Sequence, residues 1–278
     1  MRRWALFAVA LALPKGLDAA TTCPESGIEA PTEVTLAAAA SGADDIAILV
    51  KNSDCDEVTI EQTDSDTPGE YRINASYVDI EVVESYPAVA SLWLWNNKIK
   101  TFKAVGTSVT EIDITDNQLK SLDGLEFPSS CLELTLDFNR LTSAKASNFP
   151  ENLLKLYLRK NSIDSLSSFR FPAKLQQLYL NGNQQLTTLE GAVFPDSLQY
   201  LECSDCRITE IVGVTFPSSL KTMTLGGATV TSFIIRESDV ELLQSAQLSG
   251  TVSVSECSSG TITEITSAIS ACVLDGNI

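Results

Sequence analysis

The sequence predicts a mainly β repeat protein: a solenoid whose short strands stack into one parallel sheet. Two markers carry this prediction. The phrase Leu-x-x-Leu-x-Leu-x-x-Asn-x-Leu recurs about every 22 residues, and its Asn position is filled in turn by Asn97, Asn117, Asn139, Asn161, Asn183, Cys206 and Ala228. A Phe-Pro pair keeps the same period, at residues 127–128, 149–150, 171–172, 194–195 and 216–217. Self-similarity at a fixed period of this length is the signature of a solenoid.

Each repeat begins with a strand, as the unit from Leu153 to Ile163 illustrates. Leu156 and Leu158 are two residues apart, so a strand directs both side chains into the coil. Tyr157 lies between them and points outward. One coil cannot bury its apolar face alone, but neighbours on both sides can bury it together.

The Asn of each repeat turns the chain inward after the strand. A buried turn leaves backbone N–H and C=O groups in need of partners. The Asn amide both donates and accepts, so stacked Asn side chains can satisfy adjacent turns. Cys206 and Ala228 interrupt this ladder, and we expect the last coils to be looser.

The Phe-Pro pairs lie on the return path of each coil. Pro fixes its own φ and favours extended backbone at the preceding residue. The pairs therefore predict extended or short-turn convex segments rather than long helices, with each Phe packed under its coil.

The repeat phrase resembles the leucine-rich repeat consensus. The return segments Phe127-Pro128-Ser129-Ser130 and Phe216-Pro217-Ser218-Ser219-Leu220 resemble those of oomycete secreted leucine-rich repeat proteins and receptor-like kinase ectodomains. The resemblance covers roughly residues 89–233. It implies a peptide, protein or glycan ligand and does not distinguish among them.

The repeats divide the sequence into four predicted parts. Residues 1–20 form a signal peptide, residues 21–88 an N-terminal cap with degenerate coils, and residues 89–239 the solenoid of about seven repeats. Residues 240–278 form a C-terminal cap. Shorter closing coils are expected at three apolar groups: Val240, Leu242 and Leu243, then Val252 and Val254, then Ile262 and Ile265. Both ends of a solenoid need caps because they expose apolar coil faces.

The first residues are typical of secretion. Arg2 and Arg3 precede an apolar run from Trp4 to Leu13, and small residues follow at Ala19 and Ala20. The run is too short for a transmembrane helix. We expect a secreted, extracellular protein without stable membrane insertion, or an ectodomain on the outer face of the plasma membrane if the chain is truncated.

Charge and composition limit the partners. The formal net charge is −17, with 36 acidic and 19 basic residues, which argues against nucleic acid and anionic membrane surfaces. The sequence contains no His, which excludes His-based triads, bases and metal sites. With no recognisable nucleophile–base constellation or phosphate loop, we expect no enzyme activity and no cofactor or metal.

The cysteines flank the repeats in a way that suits an extracellular protein. We predict the cap disulfides Cys23–Cys55 and Cys257–Cys272, although sequence alone does not fix this pairing. Cys131 lies at an inward repeat position and is predicted to be a core thiol.

Cys203 and Cys206 form a C-x-x-C at inward positions of a strand and its turn. Core packing is the favoured interpretation; a local disulfide is an alternative, and redox chemistry a weaker one, because no helix N-terminus is predicted there.

One glycosylation sequon is present, at Asn74-Ala75-Ser76. In a secreted protein this sequence predicts an N-linked glycan at Asn74.

The outward strand positions form the predicted ligand-binding face. Its candidate residues are Trp93, Trp95, Glu111, Asp113, Phe138, Tyr157, Arg159, Tyr179 and Tyr200. Aromatics with polar groups are enriched at binding hot spots, although single exposed aromatics are also ordinary sheet formers. An acidic zone (Glu111, Asp113, Asp116, Glu133 and Asp137) precedes a basic zone (Lys155, Arg159 and Lys160), and such zoning selects a partner's charge pattern.

These observations favour a secreted module that recognises a protein or peptide through its concave face. The alternative is the extracellular domain of a receptor-like kinase, truncated before its membrane helix.

Overall fold

The computed structural model describes, with their side chains, residues 73–77, 79–83, 89–103, 108–142 and 149–274. It describes the backbone alone at residues 35–38, 48–51, 57–59, 62–64 and 71–72. The predicted signal peptide and the predicted disulfide Cys23–Cys55 lie outside the described residues.

Short strands dominate the described residues. The N-terminal strands are β1 (Thr35–Ala38), β2 (Ile48–Lys51), β3 (Glu57–Thr59), β4 (Gln62–Asp64), β5 (Tyr71–Asn74) and β6 (Val82–Val83). The repeats supply β7 (Ser91–Trp93), β8 (Thr101–Phe102), β9 (Glu111–Asp113), β10 (Glu133–Thr135), β11 (Lys155–Tyr157), β12 (Gln177–Tyr179) and β13 (Tyr200–Glu202). The last elements are β14 (Glu210–Val212), β15 (Thr222–Val230), β16 (Ser232–Arg236), α1 (Glu237–Ser245), β17 (Gln247–Val252), β18 (Gly260–Thr266) and β19 (Ile269–Leu274).

The repeat strands form one parallel sheet in repeat register. Neighbours run in the order β5-β7-β9-β10-β11-β12-β13-β15-β17, and the pair Leu134–Leu156 is one example of equivalent positions lying side by side. In β9 to β13 the central residue of the strand is buried and its flanking residues are partly exposed, as the two-residue period of a strand requires. The predicted solenoid with a parallel concave sheet is confirmed.

Where the structure describes them, the return segments that contain the Phe-Pro pairs are extended or short turns, as predicted. After each Phe-Pro pair, the Pro carbonyl accepts a backbone N–H three residues later, as in the bond from Leu153 N–H to Pro150 O at 3.1 Å. The Phe rings stack on each other beneath the coils, with ring centroids 6.3 Å apart for Phe149 and Phe171 and 6.2 Å apart for Phe171 and Phe194. Aromatic packing therefore lines the convex side of the core.

Buried Asn side chains join adjacent coils. Asn161 Oδ1 accepts the Leu141 N–H at 3.0 Å, while its Nδ2 donates to Leu136 O at 2.9 Å and Leu158 O at 3.1 Å. The same bonding pattern occurs at Asn97, Asn117, Asn139 and Asn183. The predicted role of the Asn ladder in satisfying neighbouring turns is confirmed.

The ladder stops where one repeat gains a residue. In the lengthened turn, the Leu186 N–H donates to Asn183 O at 3.1 Å, so this coil needs no amide acceptor from position 206. Cys206 Sγ donates to Leu180 O at 3.3 Å and keeps only one part of the Asn bonding pattern. At Ala228 the strand β15 continues, but its pairing shifts register between Leu225 and Thr229, with Gly227 at φ 80°, and the methyl group of Ala228 makes no hydrogen bond.

The N-terminal region differs from a simple run of degenerate coils. Only β5 behaves as a repeat strand, pairing in parallel with β7. Strand β4 pairs antiparallel with β5 at the edge of the concave sheet. Strands β1 to β3 form an antiparallel set that joins β6 and β8 in a second sheet. Antiparallel pairing covers the open end of the solenoid with a different backbone pattern from the repeats.

The C-terminal region contains a helix where the sequence predicts closing coils. Helix α1 includes Val240, Leu242 and Leu243, of which only Leu243 is fully buried. Its start is fixed by Asp239, whose Oδ2 accepts the Arg236 N–H at 3.2 Å. Strands β17 to β19 follow the helix. The helix was not predicted, but the chain still completes a further coil there, because β17 pairs in parallel with β15.

The predicted bond between Cys257 and Cys272 is present as a disulfide, with the two Cα atoms 5.3 Å apart. It ties the turn before β18 to β19. The helix α1 has nine residues, and no helix among the residues that the structure describes has the length and apolar character needed to span a bilayer.

Candidate functional site

All nine candidate residues lie on the concave sheet or on the turn that follows each strand. Eight of them are partly exposed, and Phe138 is 55% exposed. The turn holds its first residue at positive φ in coil after coil, including φ 54° at both Phe138 and Lys160 and φ 76° at Gly182. Since the buried Asn ladder fixes these turns, the side chains on the face project from a rigid backbone.

Three tyrosines form a continuous row across the middle of the face, here called the tyrosine ridge (Tyr157, Tyr179 and Tyr200). The Tyr157 and Tyr179 rings are stacked with centroids 4.4 Å apart and planes 6° apart, and Tyr200 is tilted against Tyr179 at 5.1 Å. One face of the Tyr157 ring therefore covers one face of the Tyr179 ring.

Neighbouring polar groups fix the hydroxyls of the ridge. Tyr179 donates its O–H to Gln177 Oε1 at 2.9 Å, and Tyr200 donates to Glu202 Oε2 at 2.8 Å. Burial, followed by the bond to Glu202, raises the pKa of Tyr200 to about 12, so its hydroxyl stays protonated. The sequence did not identify Gln177 or Glu202 as supporting residues.

Arg159 lies over the ridge. Its guanidinium carbon is 4.7 Å from the Tyr157 ring centroid and 5.3 Å from that of Tyr179, both within cation–π range. Asp137 holds the other side: its Oδ2 is 2.9 Å from Arg159 Nε, and its Oδ1 accepts the Arg159 N–H at 2.7 Å. Burial raises the pKa of Asp137 to about 6, against the opposing effect of the Arg159 hydrogen bond and charge.

The predicted acidic and basic zones are joined by ion pairs across coils. Lys155 Nζ is 2.9 Å from Glu133 Oε2, and this hydrogen bond raises the pKa of Lys155. With the Asp137–Arg159 pair, two of the three basic residues are matched to acids of the preceding coil. Each pair joins residues 22 positions apart, which is the repeat period. The period alone could therefore have predicted that these residues are neighbours on adjacent coils.

The tryptophan end of the face has its own contacts. Glu111 accepts hydrogen bonds from Ser91 Oγ at 2.8 Å and from Trp93 Nε1 at 3.3 Å. Trp95 contacts Tyr77 edge to face, with centroids 4.7 Å apart. Tyr77 is 64% exposed, and the sequence did not identify it. Asp113 Oδ1 accepts the Thr115 N–H at 2.8 Å, which fixes the acidic side chain beside Trp93.

Asn74 is exposed at the end of β5, directly beside Trp93 in the parallel pairing. Its Oδ1 accepts the Ser76 N–H at 3.1 Å. The sequon therefore lies at the edge of the concave face.

Among the described residues, the three free cysteines are buried, and burial raises the pKa of each thiol: to about 12 for Cys131, to about 11 for Cys206 and well above the usual value for Cys203. Cys203 and Cys206 are not joined by a disulfide. Within the described ranges, no three Cys, Asp or Glu side chains come together as a metal-binding group.

Residues 132–184, which include β10 to β12 and the start of the tyrosine ridge, match the family model described as "Leucine rich repeat". No curated protein sequence matches this one.

The solved structures that are similar to the chain include two of YopM and one of an internalin. YopM from Yersinia enterocolitica has 21% identity and a TM-score of 0.45, over 67% of this chain and 43% of its own. An internalin from Listeria monocytogenes has 18% identity and a TM-score of 0.48, over 60% and 49%. YopM from Yersinia pestis has 15% identity and a TM-score of 0.33, over 66% and 68%. The chain thus spans less than half of the length of the first two.

Proposed function

We propose that this chain is a secreted leucine-rich repeat protein that recognises another protein or a peptide through its concave face. The tyrosine ridge and the fixed Arg159 carry the proposal. Tyr and Arg are enriched at binding hot spots, and side chains that are already ordered lose little conformational entropy on binding. The ridge, with Arg159 above it, supplies four such groups in adjacent coils.

The shape of the fold supports the same use. A solenoid presents one continuous concave surface, and repeat proteins bind partners on such surfaces. Of the outward strand and turn positions between Ser91 and Gly227, seven carry carboxylates and three carry cationic groups. This acidic balance disfavours nucleic acid as the partner. The proposal assigns no catalytic residue, cofactor or metal.

Secretion and glycosylation belong to the same proposal. The charged and apolar pattern of residues 1–20 supports export, and the Cys257–Cys272 disulfide suits an oxidising compartment. We place an N-linked glycan at Asn74, because its side chain is exposed within the sequon.

A second candidate is the extracellular domain of a receptor-like kinase. It rests on the resemblance of the Phe-Pro-Ser-Ser return segments to those of receptor ectodomains. The coding sequence downstream of Ile278 distinguishes the two candidates, since a membrane anchor requires about 20 consecutive apolar residues.

The decisive experiment captures partners from host and self secretomes with the mature protein and two matched variants. Thr135 lies on the concave face between Asp113 and Tyr157, so Thr135→Arg obstructs this surface. Thr209 is exposed on the return path, and Thr209→Arg adds the same bulk and charge away from the face. Far-UV circular dichroism and thermal melts verify that both variants fold.

We expect a partner that is retained by the native protein and by Thr209→Arg but lost by Thr135→Arg. The triple variant Trp93→Ala/Tyr157→Ala/Tyr179→Ala should lose the same partner. Equal retention by the two arginine variants would place the binding surface elsewhere and refute the concave-face proposal.

A further inference from the structure

We propose that Arg159 is the anchor for a carboxylate group of the bound protein or peptide. This inference rests on the proposed concave-face function and adds the chemistry of the ligand group. The inference rests on the geometry of the Arg159 side chain. Its backbone and Nε are held by neighbouring residues, whereas its two terminal nitrogens, here called the tip, are open.

Three residues hold the base of the Arg159 side chain. Asp137 accepts the backbone N–H of Arg159 at 2.7 Å, and its other oxygen forms an ion pair with Nε at 2.9 Å. The rings of Tyr157 and Tyr179 support the guanidinium from below, 4.7 and 5.3 Å from their centroids. An arginine in solution loses much rotamer freedom when it binds, whereas this arginine has already been ordered by its neighbours.

The tip of the Arg159 side chain remains available to donate hydrogen bonds to a ligand. The Arg159 side chain is 39% exposed, and its two terminal nitrogens make no hydrogen bond to any residue that the structure describes. A guanidinium is planar and directs its N–H groups as a fork that matches the two oxygens of a carboxylate. The fork therefore has a fixed direction and unused donors.

The nearby carboxylates of the protein are already bonded to other groups. Glu133 accepts from Lys155, and Glu202 accepts from both Tyr200 and Asn181. Asp137 faces Nε rather than the tip. Lys160, the next residue in sequence, is exposed, and its side chain lies against Gly182 of the following coil. A carboxylate from another molecule completes this arrangement.

The surroundings restrict which carboxylate fits. The ridge beneath Arg159 is aromatic, so the group next to the carboxylate is best apolar. The face as a whole carries more carboxylates than cations, which repels a uniformly acidic partner. The ligand is therefore a single carboxylate next to an apolar group, supplied by an Asp or Glu residue or by the C-terminus of the partner.

Small probes test the anchor without a known partner. N-acetyl-phenylalanine carries a terminal carboxylate, and N-acetyl-phenylalanyl-aspartic acid amide carries the carboxylate of its Asp residue. Their neutral counterparts are N-acetyl-phenylalaninamide and N-acetyl-phenylalanyl-asparagine amide. Binding is followed through the ¹⁵N signal of Arg159 Nε and the amide signals of the concave strands.

Matched variants separate charge from geometry. Arg159→Gln removes the cation, and Arg159→Lys keeps the charge but loses the fork. Arg207→Gln makes the same charge change at an exposed position after the Cys206 turn. In the variants without the Arg159 signal, the amide signals report binding.

We expect at least one carboxylate probe to bind the native protein and Arg207→Gln at least tenfold more tightly than its neutral counterpart. Both Arg159 variants should weaken that probe at least tenfold, and the probe that binds identifies the source of the carboxylate. The anchor would be overturned by any of three results. These are equal binding of the charged and neutral probes, no binding of either carboxylate probe, or equal binding of a carboxylate probe by Arg159→Gln and the native protein. If the probes give one of these results while Thr135→Arg still loses the captured partner, only the carboxylate anchor is refuted. If Thr135→Arg retains the captured partner, the concave-face function itself is refuted.

Discussion

Asp137 and Arg159, residues of adjacent coils, hold each other through both backbone and side chain. One carboxylate oxygen accepts the Arg159 N–H at 2.7 Å and the other lies 2.9 Å from Nε. Asp137 is only 6% exposed, so its ionised form is costly despite the neighbouring cation. The pair therefore combines ordered geometry with a carboxylate that titrates in a mildly acidic range.

The first prediction concerns the pH dependence of stability. Because the pKa of Asp137 is raised from 3.8 to about 6, the folded state binds more protons than the unfolded state between these values. The contribution of Asp137 to the free energy of unfolding is thus largest below pH 3.8 and is lost as the pH rises through 6. A shift of this size corresponds to roughly 2–3 kcal/mol.

The variant Asp137→Asn cannot titrate at this position but keeps an oxygen for the Arg159 N–H. Urea unfolding of both proteins across this pH range isolates the contribution of Asp137. We expect the native-minus-variant difference in unfolding free energy to fall as the pH rises. A difference that rises instead would mean that attraction to Arg159 exceeds the cost of burial.

The second prediction concerns the Asn ladder. Asn161→Ala leaves the buried Leu141 N–H without its acceptor, whereas Leu136 O and Leu158 O keep their bonds from Asn139 Nδ2 and Asn183 Nδ2. An unsatisfied buried group costs about 1–3 kcal/mol, so the urea midpoint should fall accordingly. Asn152→Ala is the control, because its bond to Ser129 O lies at the surface and should matter much less. An unchanged midpoint for Asn161→Ala would refute the structural role of the ladder.

The third prediction explains the interruption of the ladder at Cys206. Cys206→Asn alone should not stabilise the protein, because the Leu186 N–H already bonds to Asn183 O and leaves the new amide oxygen unpaired. Deleting Gln184 restores the 22-residue spacing and should free an N–H for that oxygen.

Chemical unfolding of four proteins tests this explanation: native, Cys206→Asn, the Gln184 deletion, and the two changes combined. In the shortened coil, the new Asn should add about 1–3 kcal/mol. The same gain in the native coil and the shortened coil would show that the extra residue has nothing to do with the loss of Asn.

The architecture was predictable because the repeat determines burial directly. Leu156 and Leu158 point inward and Tyr157 outward in any strand, so one unit specifies all equivalent positions. The outward candidates were thus found from position alone. Their pairing was not found, since it depends on side-chain reach between coils, although the 22-residue separation of Glu133 and Lys155 contained that information.

The ends of the solenoid were less predictable. Caps do not repeat, so the period provides no guidance there. Helix α1 was missed even though Glu237 and Asp239 place acidic side chains in its first turn, a common helix-start signal. The antiparallel pairing of β1, β2 and β3 was not predicted either, because pairing direction depends on contacts that local sequence does not encode.

The last prediction concerns the coupling between Tyr157 and Tyr179. Their rings are parallel at 4.4 Å, and aromatic pairs contribute about 0.5–1.5 kcal/mol beyond the area that they bury. In a double-mutant cycle of Tyr157→Leu and Tyr179→Leu, the coupling energy should lie in that range. The pair Tyr157 and Thr224 is the control, since these residues belong to strands separated by two others and should show additive effects. Additive effects for the two tyrosines as well would mean that the ridge is three independent side chains, and binding would then have to order them.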